Sequence, residues 1–258
     1  MANLANEKCE KLIRYLISER NDIDIAIPTD EKEQFQIYRS LVNIRPAKKA
    51  SNEYFKAEDE FLQELTADKG ITDIADLKPI EGNIYLWRGD ITTLKCGAIV
   101  NAANSGMTGC YHPCHNCIDN CIHTFAGVRL RLKCAEIMRA QGHEEPTGRA
   151  KITPAYNLPC DNVIHTVGPI VQGRLTAEHC RLLKSCYESC LELAAQSGLE
   201  SIAFCCISTG VFGFPQDKAA EIAVQTVRDF LASHDKKLRV IFNVFTEKDY
   251  EIYGRLLG

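Results

Sequence analysis

The sequence predicts an α/β fold, a central sheet covered by helices on both faces, carrying a helical extension over residues 1–80. Three observations predict it. From residue 81 onward, short apolar runs alternate with longer helical stretches. Before residue 80 the apolar residues recur at helical spacing, with no glycine-rich loop. The hydrophobic content, 45% of 258 residues, supplies a core for one large domain or one domain with an appendage.

In the extension, Leu12, Ile13, Leu16 and Ile17 form a first apolar stripe, and Phe35, Tyr38, Leu41 and Val42 a second that Pro46 ends. Tyr54, Phe55, Phe61, Leu62 and Leu65 form a third, with Ser51 as its N-cap. The main body, 81–258, opens with a strand over Asn83–Trp87 and a buried one over Ala98–Val100. A long helical stretch, Ile118–Ala140, follows, then a strand at Val163–Val167 and a helix at Ala177–Ser197. Ser201–Ile207 is a strand, Lys218–Ala232 a helix, Leu238–Phe242 a strand and Glu247–Leu257 the closing helix.

Charge and composition exclude several functions. A net charge of -4 provides no bulk basic footprint for nucleic acid, although a local phosphate pocket remains compatible with it. No run of about eighteen apolar residues is present, so no membrane span is expected. Charged residues interrupt Met1–Leu16, which reads as an amphipathic helix rather than a signal peptide, so a cytoplasmic location is expected. Nothing requires an obligate interface, and a monomer is expected. The thirteen cysteines are odd in number and follow no secretory signal. Most, such as Cys186, Cys190, Cys205 and Cys206, read as small core hydrophobes.

Three loops at strand ends carry chemistry, because open α/β sheets bind ligands beyond the carboxyl ends of their strands. In Gly89-Asp90-Ile91-Thr92 the carboxylate can accept from an exocyclic base amine or cap the next turn. In Asn101-Ala102-Ala103-Asn104 two amides, separated by small residues, can bond to sugar hydroxyls; an Asx turn is the alternative for Asn104. Ser208-Thr209-Gly210-Val211-Phe212-Gly213-Phe214-Pro215 joins a strand to a helix with backbone N–H groups free to surround a phosphate. Phe212 and Phe214 can flank a ligand or anchor the loop.

A further run, Cys110 to His123, packs four cysteines and three histidines into fourteen residues. That density of soft donors exceeds any packing need and favours Zn²⁺ over Mg²⁺ or Ca²⁺. Cys121 alone is explained as a buried thiol on a helix.

Gly-Asp-Ile-Thr, Ala-Ile-Val-Asn-Ala-Ala-Asn, Ile164-His165-Thr166-Val167-Gly168-Pro169 and the 208–215 loop, in that order, resemble the macrodomain family over roughly residues 83–255. The resemblance implies a three-layer sandwich with a mixed sheet that binds ADP-ribose. It implies that Asp90, with Ile91 beside it, recognises the adenine amine. Asn101 and Asn104 would line the distal ribose, and Ser208, Thr209, Gly210, Val211 and Phe212 would wrap the pyrophosphate. Macrodomain hydrolases usually carry a glycine run after Asn-Ala-Ala-Asn; here the cysteine-histidine run replaces it. That run is similar to a zinc-dependent subclass of macrodomains, whose pattern selects Cys110, His115 and Cys117 as ligands of one Zn²⁺. Three protein ligands would leave an open catalytic position, whereas a structural site would recruit His112, Cys114 or His123 as a fourth. The metal would then be a Lewis acid beside the distal ribose. Asp119, assisted by Asn104, would orient a water or accept its proton, or cap the helix.

The expected activity is removal of mono-ADP-ribose from modified protein side chains. The resemblance adds a partner, a lipoyl-carrier protein modified by a sirtuin-type ADP-ribosyltransferase. Two other functions compete: an ADP-ribose reader with a structural zinc, and an enzyme acting on O-acetyl-ADP-ribose or a terminal phosphate.

Overall fold

The computed structural model describes residues 2–20, 22, 25–234 and 238–258, with side chains from residue 7 on. Three helices come first: α1 (Ala2–Ser18), α2 (Glu31–Ile44) and α3 (Asn52–Lys69). Each follows one of the three apolar stripes, and Met1 lies outside the described residues. Asp30 caps α2 by accepting from the Glu33 N–H, and Ser51 caps α3 by accepting from the Tyr54 N–H. The helices share a small core of Leu12, Ile13, Tyr38, Tyr54, Phe61 and Leu62, which Val128 enters from the main body.

A six-stranded mixed sheet forms the centre. Its strands are β2 (Ile84–Arg88), β4 (Ala98–Ala103), β5 (Ala150–Pro154), β6 (Asn162–Val167), β7 (Ser201–Phe204) and β8 (Arg239–Val244), in the order β2-β8-β7-β4-β6-β5. Only β5, an edge strand absent from the sequence expectation, runs antiparallel. Short strands β1 (Thr72–Asp73) and β3 (Leu94–Lys95) pair separately, across the expected boundary at residue 80. The helices α4 (Ile118–Ala126), α5 (Val128–Gln141), α6 (Ala177–Gln196), α7 (Gln216–Ser233) and α8 (Glu247–Leu257) cover the sheet. Ile99, Val100, Val163, Ile164, Ile202 and Ile241 are fully buried between them, as parallel strands covered on both faces require. Cys186, Cys190 and Cys205 join this core as small apolar side chains. Among the described residues no helix is long and apolar enough to cross a membrane.

The expected single helix over 118–140 is two. Gly127 separates α4 from α5 with φ of 86°, a left-handed backbone that L side chains rarely adopt. A Cβ there would meet Glu58 Oε2 at 2.6 Å. Gly127 offers no side chain to cap α5, and the fully buried Glu58 of α3 supplies the cap instead. Its Oε2 accepts from the Val128 N–H at 3.0 Å, while its Oε1 accepts from the Tyr38 and Tyr54 hydroxyls at 2.9 and 3.0 Å. One carboxylate from the extension thus terminates a break in the main body. Replacing Glu58 with alanine strands two buried hydroxyls and one N–H; urea unfolding of E58A is expected to show a loss of about 3 kcal/mol.

Candidate active site

The four parallel strands from β2 to β4 end on one edge of the sheet, and the candidate loops leave from that edge. Gly89 and Asp90 follow β2, Phe245 follows β8, the 208–214 loop follows β7, and Asn104 follows β4. Three strand spacings separate β2 from β4, about 14 Å. The loops therefore stand in a row along an extended crevice rather than around one point.

At the β2 end, Asp90 does cap the next turn: its Oδ1 accepts from the Thr92 N–H and hydroxyl at 3.0 and 2.6 Å. The other oxygen lies 3.1 Å from Lys69 Nζ. Burial alone would raise its pKa, but the Thr92 hydroxyl and the Lys69 charge outweigh burial and hold the carboxyl below its usual range. Beside it, the register pairs Arg88 with Val244, so Phe245 emerges opposite Gly89, the residue before Asp90, with 78% of its surface exposed. Phe245 carries no motif, and only its place one residue beyond a strand end distinguishes it.

In the middle, Phe214 is buried and anchors its loop, and Val211 is 78% exposed. The Phe214 N–H donates to Ser208 O and the Gly213 N–H to Gly210 O, both at 3.0 Å. The backbone N–H groups of Gly210, Val211 and Phe212 donate to no acceptor among the described residues. They lie just before the N-terminus of α7. Ser208 has φ of 65°. Its buried hydroxyl has no hydrogen-bond partner among the described residues.

At the β4 end a buried carboxylate organises the site. Asp119, in the first turn of α4, accepts from Asn101 Nδ2 at 2.8 Å and from Asn104 Nδ2 at 3.3 Å. Burial pushes its pKa up to about 6, against the Asn101 hydrogen bond and the nearby Arg131 charge. Asn101 was expected to line the ribose, yet its side chain is fully buried. It holds Asp119 from behind and donates to His165 Nδ1 at 3.1 Å, which leaves the His165 proton on Nε2, facing Thr153 Oγ1 at 3.0 Å. Asn104 is exposed at the crevice. Its side-chain Oδ1 accepts from the Gly106 N–H at 3.0 Å, so the Asx turn and the Asp119 contact coexist in one side chain.

The helix cap, the alternative role for Asp119, is made instead by Cys117, whose Sγ accepts from the Asn120 N–H at 3.4 Å. The donor atoms of Cys110, His115 and Cys117 all lie within 4.8 Å of one another, and none of the three residues is buried. Cys110 Sγ stands 3.6 Å from His115 Nδ1. A tetrahedral zinc with ordinary Zn–S and Zn–N bonds separates sulfur from nitrogen by about 3.6 Å. The trio fits zinc in donor chemistry, and the Cys110–His115 separation matches that of a zinc pair.

The three alternative fourth ligands stand outside the trio. The Cys114 thiol turns toward α2, 3.2 Å from Ser40 Oγ. His112 is exposed, its ring centroid 6.0 Å from that of His115. His123 is buried under Asp119, with Nε2 3.6 Å from Oδ1. Burial, Arg131 and His165 hold its pKa well below the ordinary histidine value, so the ring is neutral. His123, Cys134 and His165 form a second close group of donors. The Arg131 cation beside it disfavours a metal, and these residues serve as the polar floor beneath Asp119.

Comparison with known proteins agrees with this layout. The Macro domain family model matches residues 100–223. A protein-ADP-ribose hydrolase of Treponema medium is 60% identical over 252 residues, covering 96% of this chain and 97% of its own length. A protein-ADP-ribose hydrolase of Staphylococcus aureus (strain MRSA252) is 53% identical over 250 residues, covering 95% and 93%. Among solved structures, a Trypanosoma brucei macrodomain in complex with ADP-ribose superposes with a TM-score of 0.67 at 31% identity, over 85% of this chain and 95% of that one. A crevice set out in this order, and identity that runs nearly end to end with the two hydrolases, show that the chain belongs to the macrodomain family.

Proposed function

We propose that the protein is a zinc-dependent protein-ADP-ribose hydrolase that removes mono-ADP-ribose from modified side chains. The observation that carries this reading is the order of groups along the crevice. An acid and an exposed ring at β2 and β8, unpaired N–H groups at β7, and paired amides with a carboxylate at β4 follow the order of adenine, pyrophosphate and distal ribose. The relatives named protein-ADP-ribose hydrolase support the reaction.

In this reading the Asp90 carboxylate accepts from the adenine amine, with Ile91 behind it and the Phe245 ring against the base. Ser208, Thr209 and the N–H groups of Gly210, Val211 and Phe212 surround the pyrophosphate, aided by the positive end of α7. Asn104 bonds the distal ribose. Asp119 uses one acceptor site on each oxygen for Asn101 and Asn104, and its remaining lone pairs can hold a water and accept its proton. Zinc held by Cys110, His115 and Cys117 would supply Lewis-acid charge at the ribose end. A lipoyl-carrier protein modified by a sirtuin-type transferase belongs to this reading as the target.

Metal analysis of the purified chain is expected to find stoichiometric zinc. Chelation or Cys117→Ala should slow release of ADP-ribose from a modified carrier on the order of 100-fold. ADP, which lacks the distal ribose, should bind as before. Full activity after complete zinc removal would sink the metal role, and tight ADP binding without release from any modified protein would return the chain to a reader. Asp119→Ala is expected to lower turnover by on the order of 100-fold in single-turnover assays, with ADP affinity retained. Phe245→Ala should weaken ADP binding by about 1 kcal/mol, roughly fivefold by calorimetry, and leave zinc content unchanged.

A further inference from the structure

The run that holds the three metal donors is fastened from outside the main body. Arg39 of α2 is 8% exposed, and every hydrogen bond of its side chain goes to residues 115–121. Its Nη2 donates to the His115 carbonyl at 2.7 Å and to Asn120 Oδ1 at 3.0 Å, and its Nε donates to the same Asn120 oxygen at 3.3 Å. Asn120 is fully buried, and its amide faces the other way. It donates to the His112 carbonyl at 2.9 Å and to the Cys110 carbonyl at 3.4 Å. One guanidinium and one amide thus reach the backbone of two of the three donor residues, while Cys117 begins the helix that carries Asn120.

Asn43 of α2 holds the same run and ties it to the helix behind it. Cys114 has φ of 52°, a left-handed backbone unusual for a residue with a side chain. Its N–H donates to Asn43 Oδ1 at 2.9 Å, and Asn43 Nδ2 in turn donates to Thr124 of α4 at 3.0 Å. A segment with a strained backbone keeps one shape only where its surroundings hold it, and here helix α2 does the holding.

We propose that Arg39 is a positioning residue for the metal centre: through the His115 carbonyl and Asn120 it sets the spacing of Cys110 and His115, making the helical extension a working part of the site. Its planar fork, which satisfies two acceptors at once, is the feature a lysine cannot reproduce. The inference rests on the metal reading above.

The test compares full-length wild type, Arg39→Lys and Arg39→Ala by chelator competition for Zn²⁺, by the visible bands of the Co²⁺-loaded chains, and by amide exchange of the metal-free chains. Both variants are expected to bind zinc about ten- to hundredfold more weakly, with altered Co²⁺ bands, faster exchange across 110–117 and unchanged ADP affinity. A purely stabilising role would lower the melting temperature but leave the Co²⁺ bands and zinc affinity in place. Zinc affinity within twofold of wild type in a folded Arg39→Ala chain overturns the proposal alone. Wild type that takes up no zinc overturns the metal reading and this inference together. Should Arg39→Ala fail to fold, Arg39→Lys, which keeps the charge and loses the fork, decides the outcome on the same three readouts.

Discussion

The bonds from Asn101 and Asn104 to Asp119 tie the end of β4 to the first turn of α4. Between those anchors the chain makes an excursion over residues 105–117, with no regular secondary structure to shape it. Closing such a loop costs entropy, and a buried carboxylate without donors would cost several kcal/mol. The two amides meet both needs at one point, since hydrogen bonds to a charged group contribute about 1.5–3 kcal/mol each. With its ends fixed, the excursion brings Cys110, His115 and Cys117 together. The left-handed Gly109 lets it pass directly over His123, where a Cβ would stand 2.9 Å from the ring. Loss of the Asp119 anchor would therefore undo more than one hydrogen bond.

Much of this was legible in the sequence because it is local. Apolar periodicity marks most helices and strands within a residue or two, Ser51 announces a cap, and the density of cysteine and histidine singles out 110–117. The parts that were not legible depend on partners distant in sequence. Nothing near Gly127 reveals that Glu58 will cap the helix after it, so 118–140 reads as one unbroken stripe. The edge strand β5 carries only Ile152 as a strong apolar signal and is defined by its pairing with β6. Asn101 and Asn104 look equivalent in Asn-Ala-Ala-Asn. Strand alternation cannot separate them, because the strand ends between them: Asn101 stays inside β4 and is buried, while Asn104 stands beyond it at the crevice. Arg39 sits in an amphipathic helix, where a lone arginine reads as solvated surface.

The extension and the sheet meet through apolar contacts, such as Val128 in the helical core and the Phe35–Phe125 ring pair, and through a set of buried polar groups. Glu58 caps α5, Arg131 donates to the carbonyls of Val42 and Asn43 at 2.9 Å near the end of α2, and Asn43 bonds Thr124. Such contacts are directional, so they fix orientation as well as proximity. The Arg131 guanidinium also lies over the Tyr111 ring, 4.4 Å from its centroid, joining α5 to the donor run. Structural and functional demands fall on the same side chains here, which leaves little freedom to change one without the other.

The row of strand ends has a kinetic consequence. In the proposed reading, most of the crevice, from Asp90 and Phe245 through the 208–212 loop, would face portions of a dinucleotide-like ligand that bond cleavage at the ribose end leaves untouched. Grip of that kind is equal before and after the reaction: it raises affinity without lowering the barrier, and it holds the departing product as firmly as the arriving substrate. A crevice used this way would make escape of the freed nucleotide a natural bottleneck of the cycle, relieved at its exposed rim. Val211 and Phe245, the two most exposed apolar side chains of the crevice, stand at that rim.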